Sequence, residues 1–371
     1  MAEEKGGIFM NKQDIIQMFA LHGTILDVRE YGSGHINRTE LVRMEQDGRQ
    51  MQYILQQINT DIFQNVDGLM ENITNVTDFL RRKIRERGGD PDREALCVIQ
   101  TRDGDGYCRV DGKCYRMYRF IQDAVSYDTV ERQSDFYESA LAFGTFQSLL
   151  SDYPADTLHE TIADFHNTPK RFAAFQKAVQ EDLCARVKAA EKEIAFIMER
   201  ESQMSVLTDL LADKKLPLRV THNDTKLNNV MLDAETGRGI CVIDLDTVMP
   251  GLSVYDFGDS IRFGANTAAE DETDLSKVSL SLELYELYVK GYLKGCQNSL
   301  TELEKQMLPM GAKLMTLECG MRFLTDYLSG DTYFRIHREH HNLDRCRTQL
   351  ALVADMERKW EQMADIVAKA E

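Results

Sequence analysis

No stretch of the 371-residue chain is both long and apolar enough to span a bilayer, so a membrane-spanning helix is not expected. The first residues, Met1-Ala2-Glu3-Glu4-Lys5, carry acid where a secretory signal would place an apolar core. Positive charge is in short supply. Lys and Arg total 44 against 61 Asp and Glu, a formal charge of −17, which argues against a nucleic-acid surface and against anionic membranes. The eight cysteines form no C-x-x-C pair, and Cys108 and Cys114 are the closest together. They read as reduced, mostly buried thiols, so the expected compartment is the cytoplasm. No zinc site is expected from the histidines. There are no internal repeats, no low-complexity segment and no evident obligatory protein partner. The one tryptophan, Trp360, is expected to pack in a terminal helix over residues 349–370.

What is present is concentrated in residues 221–248. The first half has the spacing H-x-D-x-x-x-x-N, at His222, Asp224 and Asn229. A glycine-bearing turn follows, then the apolar run 240–243, which reads as a buried strand ending at Asp244. This is the set of groups that phosphoryl transfer needs. Asp224 is placed to accept a hydroxyl proton or orient the attacking oxygen. Asn229 and Asp244 offer the oxygen ligands that magnesium takes on nucleotide phosphates. The alternative is that Asp224 and Asn229 are turn residues between two strands.

The string His222–Asn229 followed by residues 242–246 resembles the aminoglycoside phosphotransferase-like kinases, whose fold is related to protein kinases. The wider string, through Pro250-Gly251 to Tyr255-Asp256-Phe257-Gly258-Asp259, is similar to that of the N-acetylhexosamine 1-kinases. The resemblance covers nearly the whole chain and is sharpest over residues 221–266. It implies ATP as co-substrate, Mg2+, and transfer of the γ-phosphate to the anomeric hydroxyl of an N-acetylhexosamine. A neighbouring expectation keeps the chemistry but changes the acceptor to another sugar, an amino alcohol or an aminoglycoside. A third is a nucleotide-binding pseudokinase. The acidic composition does not exclude ATP, because a local basic or magnesium site can overcome a global field.

The expected fold is α+β and bilobal, like a protein kinase: a small antiparallel sheet with one long helix, then a larger, mostly helical lobe. The boundary is expected at residues 1–121 and 122–371, with a hinge about 120–128. Candidate strands lie at 24–30, 38–44, 52–58, 95–101, 107–110 and 115–121, and a long helix at 66–87. Gly32, Ser33 and Gly34 lie between the first two strands, where glycine lets backbone amides approach phosphate; alone the pattern is also that of an ordinary hairpin. Kinases carry a lysine on the third strand, but Gln56 stands there. Either activity is lost or the charge comes from elsewhere. Lys226, two residues past Asp224, is the expected substitute in contact with the transferred phosphate, the alternative being a solvated loop lysine. Phe120 and Gln122 lie in the segment expected to hold adenine.

Beyond residue 134 the pattern is helical up to Leu211, including a helix over 158–166, with Ser134 the expected N-cap. His166 could reach the acceptor pocket, or cap and pack. The literal Asp256-Phe257-Gly258 is not the metal-binding triplet, because Asp244 and not Asp256 ends the strand after the catalytic loop. In the resembling family this later acidic segment braces that loop. Asp246, two residues past Asp244 in an extended chain, is expected on the same face, near magnesium or the sugar. By the same resemblance Arg322 and Tyr333 line the sugar pocket, although Arg322 could pair with Asp326 one turn away. His337, His340 and His341 read as exposed.

Overall fold

The computed structural model describes residues 11–32, 36–130 and 132–370. The chain divides into two compact units, Met1–Ala124 and Val125–Glu371. The division falls inside the stretch read from sequence as a hinge.

In the first unit, a capping box at Asn11 starts the short helix α1 (Lys12–Gln17). The strands β1 (Thr24–Glu30), β2 (Arg38–Gln46), β3 (Arg49–Ile58), β4 (Val98–Ile99), β5 (Cys108–Val110) and β6 (Lys113–Arg119) form one antiparallel sheet. Its order is β1-β2-β3-β6-β4, with β5 also on β6. Because side chains alternate along a strand, the sheet has two different faces. Val42, Met44, Tyr53, Leu55 and Met117 face Ile15, Ile16 and Phe19 in one apolar cluster. The other face carries Thr39, Gln56 and Arg116, which sit side by side in the register of β2, β3 and β6. The helix α2 (Val66–Glu86) buries Leu69, Met70, Ile73, Val76 and Leu80, the spacing expected of a helix stripe.

The second unit is mostly helical. Its strands β7 (Arg219–Thr221) and β10 (Met249–Gly251) pair antiparallel, as do β8 (Val230–Asp233) and β9 (Gly239–Val242). Around them lie α3 (Gln133–Leu149), α4 (Thr168–Glu181), α5 (Ser253–Gly264), α6 (Leu282–Cys296), α7 (Leu308–Leu328), α8 (His341–Arg358) and α9 (Trp360–Lys369). Phe172 and Phe175 of α4, Leu317, Met321 and Leu324 of α7, and Leu343, Leu350 and Val353 of α8 share one core. Burying each such side chain is worth about 1.5–3 kcal/mol. Helices α5 and α7 touch through glycine. A Cβ on Gly258 would stand 2.3 Å from the Gly311 carbonyl oxygen, closer than any side chain could sit.

Several sequence expectations need correction. Residues 95–101 give only the two-residue β4. Residues 158–166 form no helix but a run of turns, and α3 starts one residue before Ser134, with Arg132 as N-cap. The terminal helix is two, broken at Lys359, whose backbone ends α8 and opens α9. His341 is buried, its Nε2 2.9 Å from the Asp271 carboxylate, because it starts α8 against the core. Among the described residues no helix is long and apolar enough to cross a membrane.

Candidate active site

The loop between β7 and β8 carries Asp224, and two buried side chains of its own, His222 and Asn223, shape it. His222 is fully buried and edge-on to Phe143 and Phe146. Its Nε2 lies 2.8 Å from the Ile243 carbonyl and so carries the proton. Its bare Nδ1 then accepts the Asp224 backbone N–H at 3.3 Å. The imidazole is thereby a strut between the loop and the end of β9. Asn223 takes the left-handed conformation, φ 65°, which Asn tolerates better than most side chains. Its amide nitrogen donates to the Thr247 carbonyl at 2.8 Å.

Asp256 and Asp259, from α5, hold the loop from behind. The Asp256 carboxylate accepts the N–H of His222 at 2.9 Å, that of Asn223 at 2.7 Å and the Gln147 amide at 2.8 Å. Burial pushes its carboxyl up, and the hydrogen bonds from these donors offset part of that. Asp259 accepts the Thr225 N–H at 3.0 Å and is held by the Arg262 guanidinium at 2.8 Å. Burial pulls the Asp259 carboxyl up, but Arg262 and Lys226 outweigh it and hold it below the usual carboxylate range.

Asp224 itself is half-buried, with two partners. Lys226 Nζ lies 2.8 Å from Oδ1, and Asn229 Nδ2 donates to Oδ2 at 3.1 Å. Burial pulls the Lys226 ammonium down, yet Asp224 and Asp259 hold it above its ordinary value, so it stays charged. Asn229 spends its nitrogen on Asp224, which leaves the amide oxygen for a cation. The Ile243 N–H donates to the Asn229 carbonyl at 2.9 Å, tying that residue to the segment bearing Asp244. Asp244 is exposed, with left-handed backbone (φ 58°, ψ 60°), a strained setting that often marks a functional position. An amide oxygen and an exposed carboxylate on neighbouring segments fit magnesium, which takes few protein oxygens and completes its shell with water and phosphate. Asp246 departs from expectation. The chain after Asp244 coils into a 3-10 turn, Leu245–Thr247, so the alternation of an extended chain does not apply, and Asp246 is buried.

A second group of side chains in the same unit centres on Arg322 of α7. Its guanidinium lies 5.2 Å from the Phe165 ring centroid, 5.8 Å from that of Tyr333 and 5.6 Å from that of Phe334. It does not pair with Asp326. That carboxylate instead accepts the N–H groups of Thr332, Tyr333 and Phe334 and the amide of Asn342, and so fixes the loop that presents Tyr333. Tyr333 is well exposed. Behind it His166 Nδ1 meets Glu318 at 2.8 Å, Thr168 donates to the same carboxylate at 2.6 Å, and His166 Nε2 is buried without a hydrogen-bond partner among the described residues. Burial pulls the Glu318 carboxyl up, but His166 and Thr168 hold it below the usual range. The spacing of Glu318 and Arg322 on one helix signals the shared face, but nothing local pointed to His166 as the partner of Glu318.

In the first unit, Gly32 has φ +81°, with nothing within 4 Å of where a Cβ would be. Ser33 and Gly34 lie outside the described residues. Tyr31 meets Phe120 edge-on, ring centroids 5.7 Å apart. The side chain of Gln122 bonds Gln52 at 3.2 Å, and its carbonyl accepts from Arg93 at 3.3 Å. Gln56 bonds Arg116 and Thr39. Arg116 was not singled out by sequence; only the pairing of β3 with β6 shows that it abuts Gln56.

Residues 27–282 match the model of the phosphotransferase enzyme family, APH. Solved structures resemble the chain across nearly its whole length. One is a choline kinase from Cryptosporidium parvum Iowa II, 13% identical, TM-score 0.56, covering 92% of each chain. Another is an aminoglycoside phosphotransferase from Alicyclobacillus acidocaldarius, 10% identical, TM-score 0.58, covering 99% of this chain and 98% of that one. A third is a spectinomycin phosphotransferase in complex with ADP and spectinomycin, 13% identical, TM-score 0.57, covering 96% and 100%. At these identities the likeness is one of fold, α+β and protein-kinase-like.

Proposed function

The chain belongs to the phosphotransferase enzyme family, and from that premise we propose that it transfers the γ-phosphate of ATP to the anomeric hydroxyl of an N-acetylhexosamine, giving the sugar 1-phosphate. Asp224 accepts or orients the hydroxyl proton. Its two partners hold the carboxylate at one angle, which is the positioning such a reaction depends on. Lys226 stays charged beside Asp224 and meets the transferred phosphoryl oxygens. Asn229 and Asp244 would hold magnesium, which when bound neutralises charge on the phosphates. Gly32, Ser33, Gly34, Gln56, Phe120 and Gln122 are assigned to the nucleotide.

The observation that carries the acceptor class is Arg322 among aromatic rings. Related kinases act on choline, spectinomycin and other aminoglycosides by name. A cationic acceptor is well served by aromatic faces and carboxylates. Here the faces of Phe165, Tyr333 and Phe334 are taken by the chain's own guanidinium, and Arg171 is close enough to Arg322 to feel its charge. Glu318 is already satisfied by His166 and Thr168. That environment suits a neutral polyol. Arg322 can donate to an acetamido carbonyl, and exposed Tyr333 can lie against the apolar face of a pyranose. Asp246, buried on the coiled segment, is assigned to the support of the acceptor side.

The test is ATP consumption with magnesium over a panel of N-acetylglucosamine, N-acetylgalactosamine, other sugars, choline, ethanolamine and aminoglycosides. Turnover with N-acetylhexosamines is expected. Turnover only with cationic acceptors would discard the acceptor and keep the chemistry. Nucleotide binding without any turnover would favour the pseudokinase reading, to which Gln56 lends weight.

A further inference from the structure

Gln56 occupies the strand position where kinases place their lysine, and its surroundings are specific. The Arg116 guanidinium donates to Gln56 Oε1 twice, from Nε at 3.0 Å and from Nη2 at 2.8 Å. Arginine has only donors, so the amide oxygen must face it and the amide nitrogen must face the other way. There Nε2 donates to Thr39 Oγ1 at 3.0 Å. The three residues form a row across β2, β3 and β6, and the row starts at Thr39, whose carbonyl accepts from Tyr31 at the base of the glycine turn. Arg116 is among the largest fully buried side chains of the chain, while Gln56 is partly accessible. The charge is therefore inside and the amide outside it.

We propose that Gln56 contacts the nucleotide phosphates with its remaining amide proton, and that Arg116 is the positioning residue that orients this amide and supplies its positive character. An amide whose oxygen takes two bonds from a cation loses electron density at nitrogen, so its N–H becomes a stronger donor. A buried guanidinium is also poorly screened, and its field reaches an anion next to Gln56. The pair does in two residues what a lysine does in one. The proposal rests on the nucleotide reading of this unit given above.

The experiment titrates ADP with magnesium, and separately adenosine, into the full chain and three variants, Gln56→Glu, Arg116→Met and the double variant Gln56→Lys/Arg116→Met. The readout is the ratio of ADP to adenosine affinity, which a general loss of packing would leave alone. Gln56→Glu keeps Arg116 satisfied and keeps the fold, but removes the N–H and adds a negative charge. It is expected to weaken ADP at least about tenfold while adenosine changes little. Arg116→Met is expected to do the same, to a smaller degree. The double variant is expected to recover most of the ADP affinity, because a lysine no longer abuts a guanidinium. An unchanged ratio in Gln56→Glu, or a double variant no tighter for ADP than Arg116→Met, would overturn the proposal. Should Arg116→Met not fold, the Gln56→Glu ratio decides alone. Failure of the parent chain to bind either ligand would instead remove the nucleotide reading, and the proposal with it.

Discussion

One amide nitrogen of Asn229 reaches two oxygens of Asp224, the side-chain Oδ2 at 3.1 Å and the main-chain carbonyl at 2.7 Å. The residue assigned to the metal thus also sets the angle of the residue assigned to the proton. Asp224→Asn keeps the size of the side chain but turns an acceptor into a weak donor facing Lys226. A fall in kcat on the order of 10²–10⁴-fold is expected, with nucleotide affinity little changed. Steady-state rates beside an ADP titration check it.

Lys226→Met removes the charge at the proposed transfer point while keeping chain length. We expect kcat to fall at least about tenfold, with KM for the acceptor nearly constant. The sign of the pH dependence also follows. Carboxylates overcome burial and hold this ammonium above its ordinary pKa of 10.5. Its proton is therefore lost only above that value, and no alkaline fall in kcat from Lys226 is expected below pH 10. Unchanged turnover in Lys226→Met would refute the contact.

Arg322→Ala should raise KM for the acceptor about tenfold or more and leave KM for ATP alone, because the guanidinium lies among rings assigned to the acceptor. Asp326→Ala should do likewise by freeing the loop that presents Tyr333. Equal rises for both substrates would place these residues in general packing.

Asp256→Ala leaves the N–H groups of His222 and Asn223 and the Gln147 amide without their acceptor in a dry interior. Each such orphan costs about 1–3 kcal/mol, so a stability loss on the order of 3 kcal/mol or more is expected. Denaturant unfolding measures it.

Asp355 gives an acid window. Burial raises its carboxyl, but Lys359, the Leu280 N–H, Ser279 and Arg358 together lower it from 3.8 to about 2. A depressed carboxylate stabilises the fold above its unfolded pKa, and that contribution is lost as pH falls through the folded value. Stability is therefore expected to drop between about pH 4 and pH 2 by on the order of 2 kcal/mol, and Asp355→Asn should flatten that slope. An unchanged slope would mean that other carboxylates carry the acid transition.

The loop proposed as catalytic stands out in the sequence because its groups are local. His222, Asp224 and Asn229 lie in one short loop, and Asp244 follows the hairpin of β8 and β9. The strands β1 to β3 and the helix α2 were likewise legible in their own periodicity. What stayed hidden is long-range. Arg116 reaches Gln56 only through strand pairing, and Glu318 reaches His166 across 152 residues. Asp326 looked like a helix salt bridge because Arg322 sits one turn away. A carboxylate that can accept three backbone N–H groups does better than one paired at an exposed surface, where a salt bridge is worth about 0–1 kcal/mol. The false helix over 158–166 failed for a related reason: its apolar residues answer to neighbours from elsewhere in the chain, with Ile162 bonded to Met249 and His166 to Glu318.

The contact of Gly258 with Gly311 joins the helix that supports Asp224 to the helix that carries Glu318 and Arg322. Backbone against backbone leaves no side chain to absorb a shift. Reshaping the proposed acceptor side from α7 is therefore expected to move Asp224 as well, and variants selected for a new acceptor should trade catalytic speed for breadth unless their changes are confined to the Tyr333 loop.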